Sequence, residues 1–384
     1  MDSSHTYQAP PILRLSYLPI HLLCLLEGRA ERTVFAEITG LSPSRLRRGN
    51  KAAFRQSTEE KAIASALRRL EQRALDAGMT PEEFAAWCAA APSAVAGKPR
   101  PFADLVYGMD AQLPLSRSIG EEIDNLLDAL QLAFNANDLT SFQQRLIAFS
   151  RMSEVIQTSA QAAEKYQARH QAIETAHDWQ SVSVAASDIW GDILFYFLAA
   201  LDVEYGATYF KKFQPRPLFP LVFPKAHPDF DLENPGKKPR RNFLFTPTRR
   251  LLELSYALLV WSKTHRWEKK PVGRKRLAEA LGLDEQSVGN LFDGTRNLSR
   301  SLYVSLWQSL CENVARRGPF DYPLPLLVAA ILGQALITRH PDQKLDSFVL
   351  LDQVGYRSYW TWHRRLWASH PPDGTESWPA WLAD

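Results

Sequence analysis

The residues of this chain best spaced to act together chemically are polar and basic, and they fall between 274 and 300. Arg274, Lys275 and Arg276 precede the apolar set Leu277, Ala278 and Leu281. Glu285, Gln286, Ser287 and Asn290 alternate with Val288, Leu291 and Phe292, and Arg296, Asn297 and Arg300 follow. Guanidinium and ammonium groups suit phosphate oxygens, while carboxamides, hydroxyls and carboxylates suit base edges. The grouping is therefore one for recognition by charge and hydrogen bonding. Groupings for bond-breaking are missing: the sequence has no GxxxxGK phosphate loop, no HExxH and no GxSxG. His21 and Cys24 stand three apart with no further ligand nearby in sequence, and Glu59-Glu60 and Glu121-Glu122 read as solvated helix starts. His363-Arg364-Arg365 lacks the order and spacing of a recombinase site. Cys24, Cys88 and Cys311 are far apart, odd in number and without CxxC spacing. That pattern argues against a disulfide framework or a zinc knuckle and suits a reducing cytoplasm. The expectation is a cytoplasmic, non-enzymatic protein with no metal and no cofactor.

Two short helices must hold the 274–300 set. Leu277, Ala278 and Leu281 form one apolar stripe, with the small Ala278 where the helices approach. Gly282 follows, where a left-handed residue closes the first helix. Asp284 is placed to cap the second. Val288, Leu291 and Phe292 then supply the i, i+3, i+4 face that packs back on the first helix, and Gly294 is expected to end it. The polar positions 285, 286, 287 and 290 are left facing solvent.

Leu277-Ala278-Glu279, Gly282-Leu283, Val288-Gly289-Asn290-Leu291-Phe292-Asp293-Gly294 and Asn297-Leu298 together resemble the lambda-repressor (Cro or XRE) type of helix-turn-helix, over residues 271–310. The resemblance implies that the start of the second helix enters the major groove. It makes Glu285, Gln286 and Ser287 candidate base readers, with Arg274, Arg296, Asn297 and Arg300 next to phosphate. Glu285 is acidic where such readers often carry Gln; it can accept from a cytosine amine or repel phosphate. Asp293 adds a second negative charge. A weaker similarity lies at 33–50, where Ala36-Glu37 and Gly40-Leu41 repeat the spacing of Ala278-Glu279 and Gly282-Leu283. Its Ser42-Pro43-Ser44 start and Leu46-Arg47 resemble MerR- or excisionase-type winged helices. Gly49 and Asn50 stand where Leu291 and Phe292 have their equivalents, so the helix is short. Arg45, Arg47, Arg48 and Lys51 are expected to touch phosphate without reading sequence.

Charge is segregated along the 384 residues. Residues 205–318 hold 21 Lys+Arg against 10 Asp+Glu, a local +11, and residues 29–73 hold 11 against 5, a local +6. Residues 104–204 hold 5 against 15, a local −10. Two cationic regions joined by an acidic body attract polyanions, or simply solvate helix faces.

The expected fold class is all-α: a multi-helix body with a helix-turn-helix domain and a proline-rich extended strap. Residues 1–100 form an N-terminal helical domain and 101–212 an acidic helical bundle. That bundle carries the Ile119, Ile123, Leu126, Leu127, Leu130, Phe134 stripe and a very apolar helix from Ser187 to Val203. Residues 213–247 hold eight prolines, which rule out a helix there. They also hold the basic run Lys237, Lys238, Arg240, Arg241, which reads as a solvated linker or a DNA-following arm. Residues 248–384 close the chain, and its Trp- and Tyr-rich end is expected to seal a core. Ile193–Leu201 and Pro323–Thr338 are apolar but short of the roughly 20 residues a bilayer needs, so both read as buried helices and no membrane is expected. The leading expectation is a double-stranded DNA-binding protein, a transcription regulator or DNA-recruitment factor. The acidic body is then available for protein partners or homo-oligomer formation. The alternative is a helical adaptor or structural subunit that uses the helix-turn-helix for protein contacts.

Overall fold

The computed structural model describes residues 113–154, 160–214, 216–223, 225–226, 244–293, 298–316, 323–339, 356–368 and 374–379, with Trp381 and isolated positions before residue 113. From Pro114 on, its α-helices of seven or more described residues are α1 (Pro114–Asn135), α2 (Leu139–Glu154), α3 (Ala160–Glu174), α4 (Trp179–Ala185), α5 (Ser187–Tyr209) and α6 (Pro247–Thr264). They continue with α7 (Arg274–Leu281), α8 (Glu285–Phe292), α9 (Arg300–Leu310), α10 (Leu324–Arg339) and α11 (Tyr356–Trp367). The fold is all-α. Its extended pairing among the described residues is a two-residue antiparallel ladder, Lys225–Ala226 with Leu244–Phe245, and a single parallel bridge from Phe213 to Glu376.

α5 is the axis of the molecule. Every residue from Ile189 to Val203 is buried, which is why this run is apolar nearly all round rather than striped. α1 packs on it through Ile119, Ile123, Leu127 and Leu130, all buried, while Leu126 and Phe134 lie half-buried at the edge. α2 and α3 complete this side. On the other side α5 meets α10 and α11. The C-terminal helix therefore shares its core with a helix some 150 residues earlier, across the expected boundary at 212/213. Tyr359, Trp362 and Trp378 are buried, so the aromatic end of the chain does seal a core.

Of the proline-rich stretch 213–247, the described part includes a turn as well as extended residues. Pro220 sits in the first turn of a short 3-10 segment, Phe219–Leu221, and Phe219 and Phe223 are fully buried beneath it. Pro247 opens α6 at a position where its missing N–H leaves no bond unmade. The basic run at 237–241 lies outside the described residues. Among the described residues no single helix is long and apolar enough to cross a membrane. α4 and α5 reach that length and hydropathy only together, across a 47° bend.

Candidate functional site

α7 and α8 form the expected helix pair, and each local signal has a visible cause. Gly282 takes φ +65°, closing α7 in the left-handed region, and the following Leu283 N–H bonds to the Ala278 carbonyl at 3.0 Å. Asp284 caps α8: its Oδ1 accepts from Ser287 N at 2.8 Å and its Oδ2 from Ser287 Oγ at 2.7 Å. Those Ser287 bonds hold the Asp284 carboxyl below the usual aspartate range. Leu277, Ala278, Leu281, Val288, Leu291 and Phe292 are all buried. α8 ends at Phe292 with Asp293 in the right-handed region, while Gly294 lies outside the described residues.

The pair is fastened on both flanks. Thr246 Oγ1 donates to the Phe292 carbonyl at 2.7 Å, and the Arg249 guanidinium lies 5.0 Å from the Phe292 ring centroid. Asn313 Nδ2 donates to the Ala280 carbonyl at 3.0 Å, tying α7 to the turn after α9. Arg276 pairs with Glu268 at 3.1 Å and lies over the Tyr256 ring.

Within this frame Arg274, Lys275 and Arg276 are exposed on the first turn of α7, and Glu285, Gln286 and Asn290 are exposed on α8. Arg300 is exposed at the start of α9. Ser287 is only half-buried, but its hydroxyl is occupied by the Asp284 cap, so its first role is structural. Gln286 Nε2 reaches Asn290 Oδ1 at 3.4 Å, placing the two carboxamides side by side one turn apart. Arg274 is engaged within the pair: its Nε donates to the Glu285 carbonyl at 2.7 Å, and its guanidinium lies across Gly289. A Cβ at Gly289 would fall 2.0 Å from Arg274 Nη2. Arg296, Asn297, Arg45, Arg47, Arg48 and Lys51 lie outside the described residues.

α8 itself carries no Lys or Arg, and Asp284, Glu285 and Asp293 bracket it. Acidic groups at a helix start complement its dipole, so they favour the helix while opposing phosphate. The cations sit instead on α7 and on the loop before it. In chemical terms the site offers two adjacent carboxamides and one carboxylate, next to a cationic shoulder.

A second polar cluster lies elsewhere, and sequence reasoning missed it. Asp202, fully buried in α5, accepts from Leu218 N at 2.9 Å, Phe219 N at 3.1 Å and the Tyr359 hydroxyl. Nε2 of His363 stands 3.9 Å from the same carboxylate. Burial pushes Asp202 up to about 7 and His363 down to about 3, so the imidazole is neutral and this contact is not an ion pair. Its signal in the sequence is an acid placed directly after the apolar run Ile193–Leu201. Among the described residues no group of three or more His, Cys, Asp or Glu is placed to hold a metal. Comparison of the chain with protein-family models, with curated proteins and with solved structures finds no match.

Proposed function

We propose that the chain binds double-stranded DNA, with α8 meeting base edges and α7 meeting the backbone, as a transcription regulator or a DNA-recruitment factor. The observation that carries this reading is the exposed Gln286–Asn290 carboxamide pair along a capped α8, flanked by the exposed Arg274-Lys275-Arg276 turn. Carboxamides pair bidentately with adenine, and a short helix braced from behind is what a groove admits. Gln286→Ala is expected to cost roughly 1–3 kcal/mol on a duplex enriched by selection from random sequence, and little on random duplex. Equal losses on both would remove Gln286 as a reader.

A second reading, an adaptor whose helix pair contacts protein, is favoured by the lack of any basic side chain in α8 and by its acidic ends. Salt separates the two. Duplex binding should weaken steeply as salt rises, because bound counterions are released, whereas an apolar interface should not.

A further inference from the structure

We propose that residues 263–270, from the end of α6 into the loop before α7, form a phosphate-contacting platform for duplex DNA, held in place by residues 374–379 and Trp381. This rests on the DNA reading above and assigns the phosphate contacts behind its salt dependence.

Residues 263–276 contain seven Lys or Arg and one acid, Glu268. That acid is already taken up by Arg276 at 3.1 Å. Arg266, Lys269 and Lys270 are exposed, and none is ion-paired with a described residue. A cluster of this kind is often no more than a solvated face. Here the backbone that carries it is fixed. His265, at φ 53°, closes α6 and donates to the Trp261 carbonyl at 2.7 Å. The Trp267 indole N–H donates to the Ser377 carbonyl at 2.7 Å, and the Trp381 indole N–H donates to the Glu268 carbonyl at 3.0 Å. Trp267 stacks on Trp261 and on Trp378, with interplanar angles of 21° and 28°. The C-terminal segment is itself anchored, since Gln214 N bonds to the Glu376 carbonyl at 2.7 Å and Glu376 N to the Lys212 carbonyl at 2.9 Å. The ordering cost of the loop is therefore met before any ligand arrives.

Its position relative to α8 follows from two residues of α7. Arg276 reaches the loop at Glu268, and Arg274 reaches α8 at the Glu285 carbonyl. They stand about 200° apart on the helix, with Lys275 on the exposed arc between them. Cations thus lie on the loop and on the first turn of α7, where Arg274 reaches the start of α8. A row of this kind suits a polyanion with regularly spaced charges more than one acidic side chain on a protein. Placed beside a groove-entering helix, it falls where the flanking backbone runs.

The test uses the full-length chain and labelled duplexes, one selected and one random, over a series of NaCl concentrations. Combining Arg266→Ala, Lys269→Ala and Lys270→Ala should make the slope of log affinity against log salt shallower by about 0.9 for each phosphate no longer neutralised. The loss should be equal on both duplexes. Gln286→Ala should change the preference and leave the slope. Arg364→Ala with Arg365→Ala, exposed on α11, is the charge control and should leave the slope unchanged. A triple variant with the wild-type slope overturns the platform and leaves the DNA reading standing, as does a control pair that lowers the slope as much per residue. A wild-type chain that binds neither duplex at low salt overturns the DNA reading, and the platform with it.

Discussion

At the scale of single residues, Gly289 shows how the site is packed. Alanine in the middle of a helix is about 1 kcal/mol better than glycine, so its absence needs a cause. The cause is the Arg274 guanidinium, whose Cζ would lie 2.6 Å from a Cβ at that position. Because the obstruction is the far end of a flexible side chain, Gly289→Ala can displace it at the expense of the bond to the Glu285 carbonyl. A gain of about 1 kcal/mol in propensity then offsets a loss of about 0.5–1.5 kcal/mol for the bond, and the substitution should be close to neutral. In an Arg274→Ala background there is no bond left to lose, and the same Gly289→Ala should stabilise by its full propensity gain. The two changes are therefore expected to be non-additive. Urea unfolding of the wild type, both single variants and the double variant measures the coupling, and additivity within about 0.5 kcal/mol would show that the two residues do not share this contact.

At the scale of elements, a single hydroxyl hydrogen-bonds the start of α6 to the end of α8, beside the Arg249–Phe292 contact. Thr246 Oγ1 accepts from Arg249 N at 3.3 Å, capping α6, and donates to the carbonyl of Phe292 at the end of α8. Thr246→Val keeps the shape and removes both bonds, so a loss of about 1–3 kcal/mol is expected. Thr246→Ser keeps the hydroxyl and should cost about 1 kcal/mol for the missing methyl. The unfolding midpoint of each variant checks this, and a valine variant as stable as the wild type would mean the tie contributes nothing. The same tie marks the limit of what is legible in the sequence. α7 and α8 can be read because every signal is local: a left-handed glycine, an aspartate cap and an apolar stripe within a few residues of one another. Thr246 and Phe292 are 46 residues apart, and Asp202 and Tyr359 are 157 apart. No periodicity or cap chemistry specifies a partner at that distance. Spacing puts Arg274 on the first turn of α7, but it does not fix which way a long flexible side chain bends. The prolines at 213–247 argue against a long helix, yet they do not specify the 3-10 turn at Phe219–Leu221, because Asp202 secures it from another element.

At the scale of the whole molecule, the Asp202 cluster joins three distant segments, α5, the turn at 218–219 and α11, and its titration should be visible in global stability. Asp202 has its folded value raised by burial from 3.8 to about 7. Between those values the folded state holds a proton that the unfolded state lacks, so its contribution is full below about 4 and is lost as pH rises towards 7. His363 has its folded value lowered by burial from 6.5 to about 3. Between those values the unfolded state takes up a proton that the folded state refuses, so its contribution is full above 6.5 and is lost as pH falls. The two slopes have opposite sign and overlap between about pH 4 and 6.5, where they largely cancel in the wild type. Each substitution should uncover the other slope. In Asp202→Asn, stability should fall as pH is lowered from 6.5 to 4, at roughly a kcal/mol per pH unit. In His363→Gln it should rise over the same interval. Thermal melts of the three proteins across that range measure the tilt relative to the wild type, which removes the background of all other titrating groups. Parallel profiles would show that neither group changes its protonation between folded and unfolded chain. Opposite tilts would establish that α11 is held to α5 through a protonation-sensitive node.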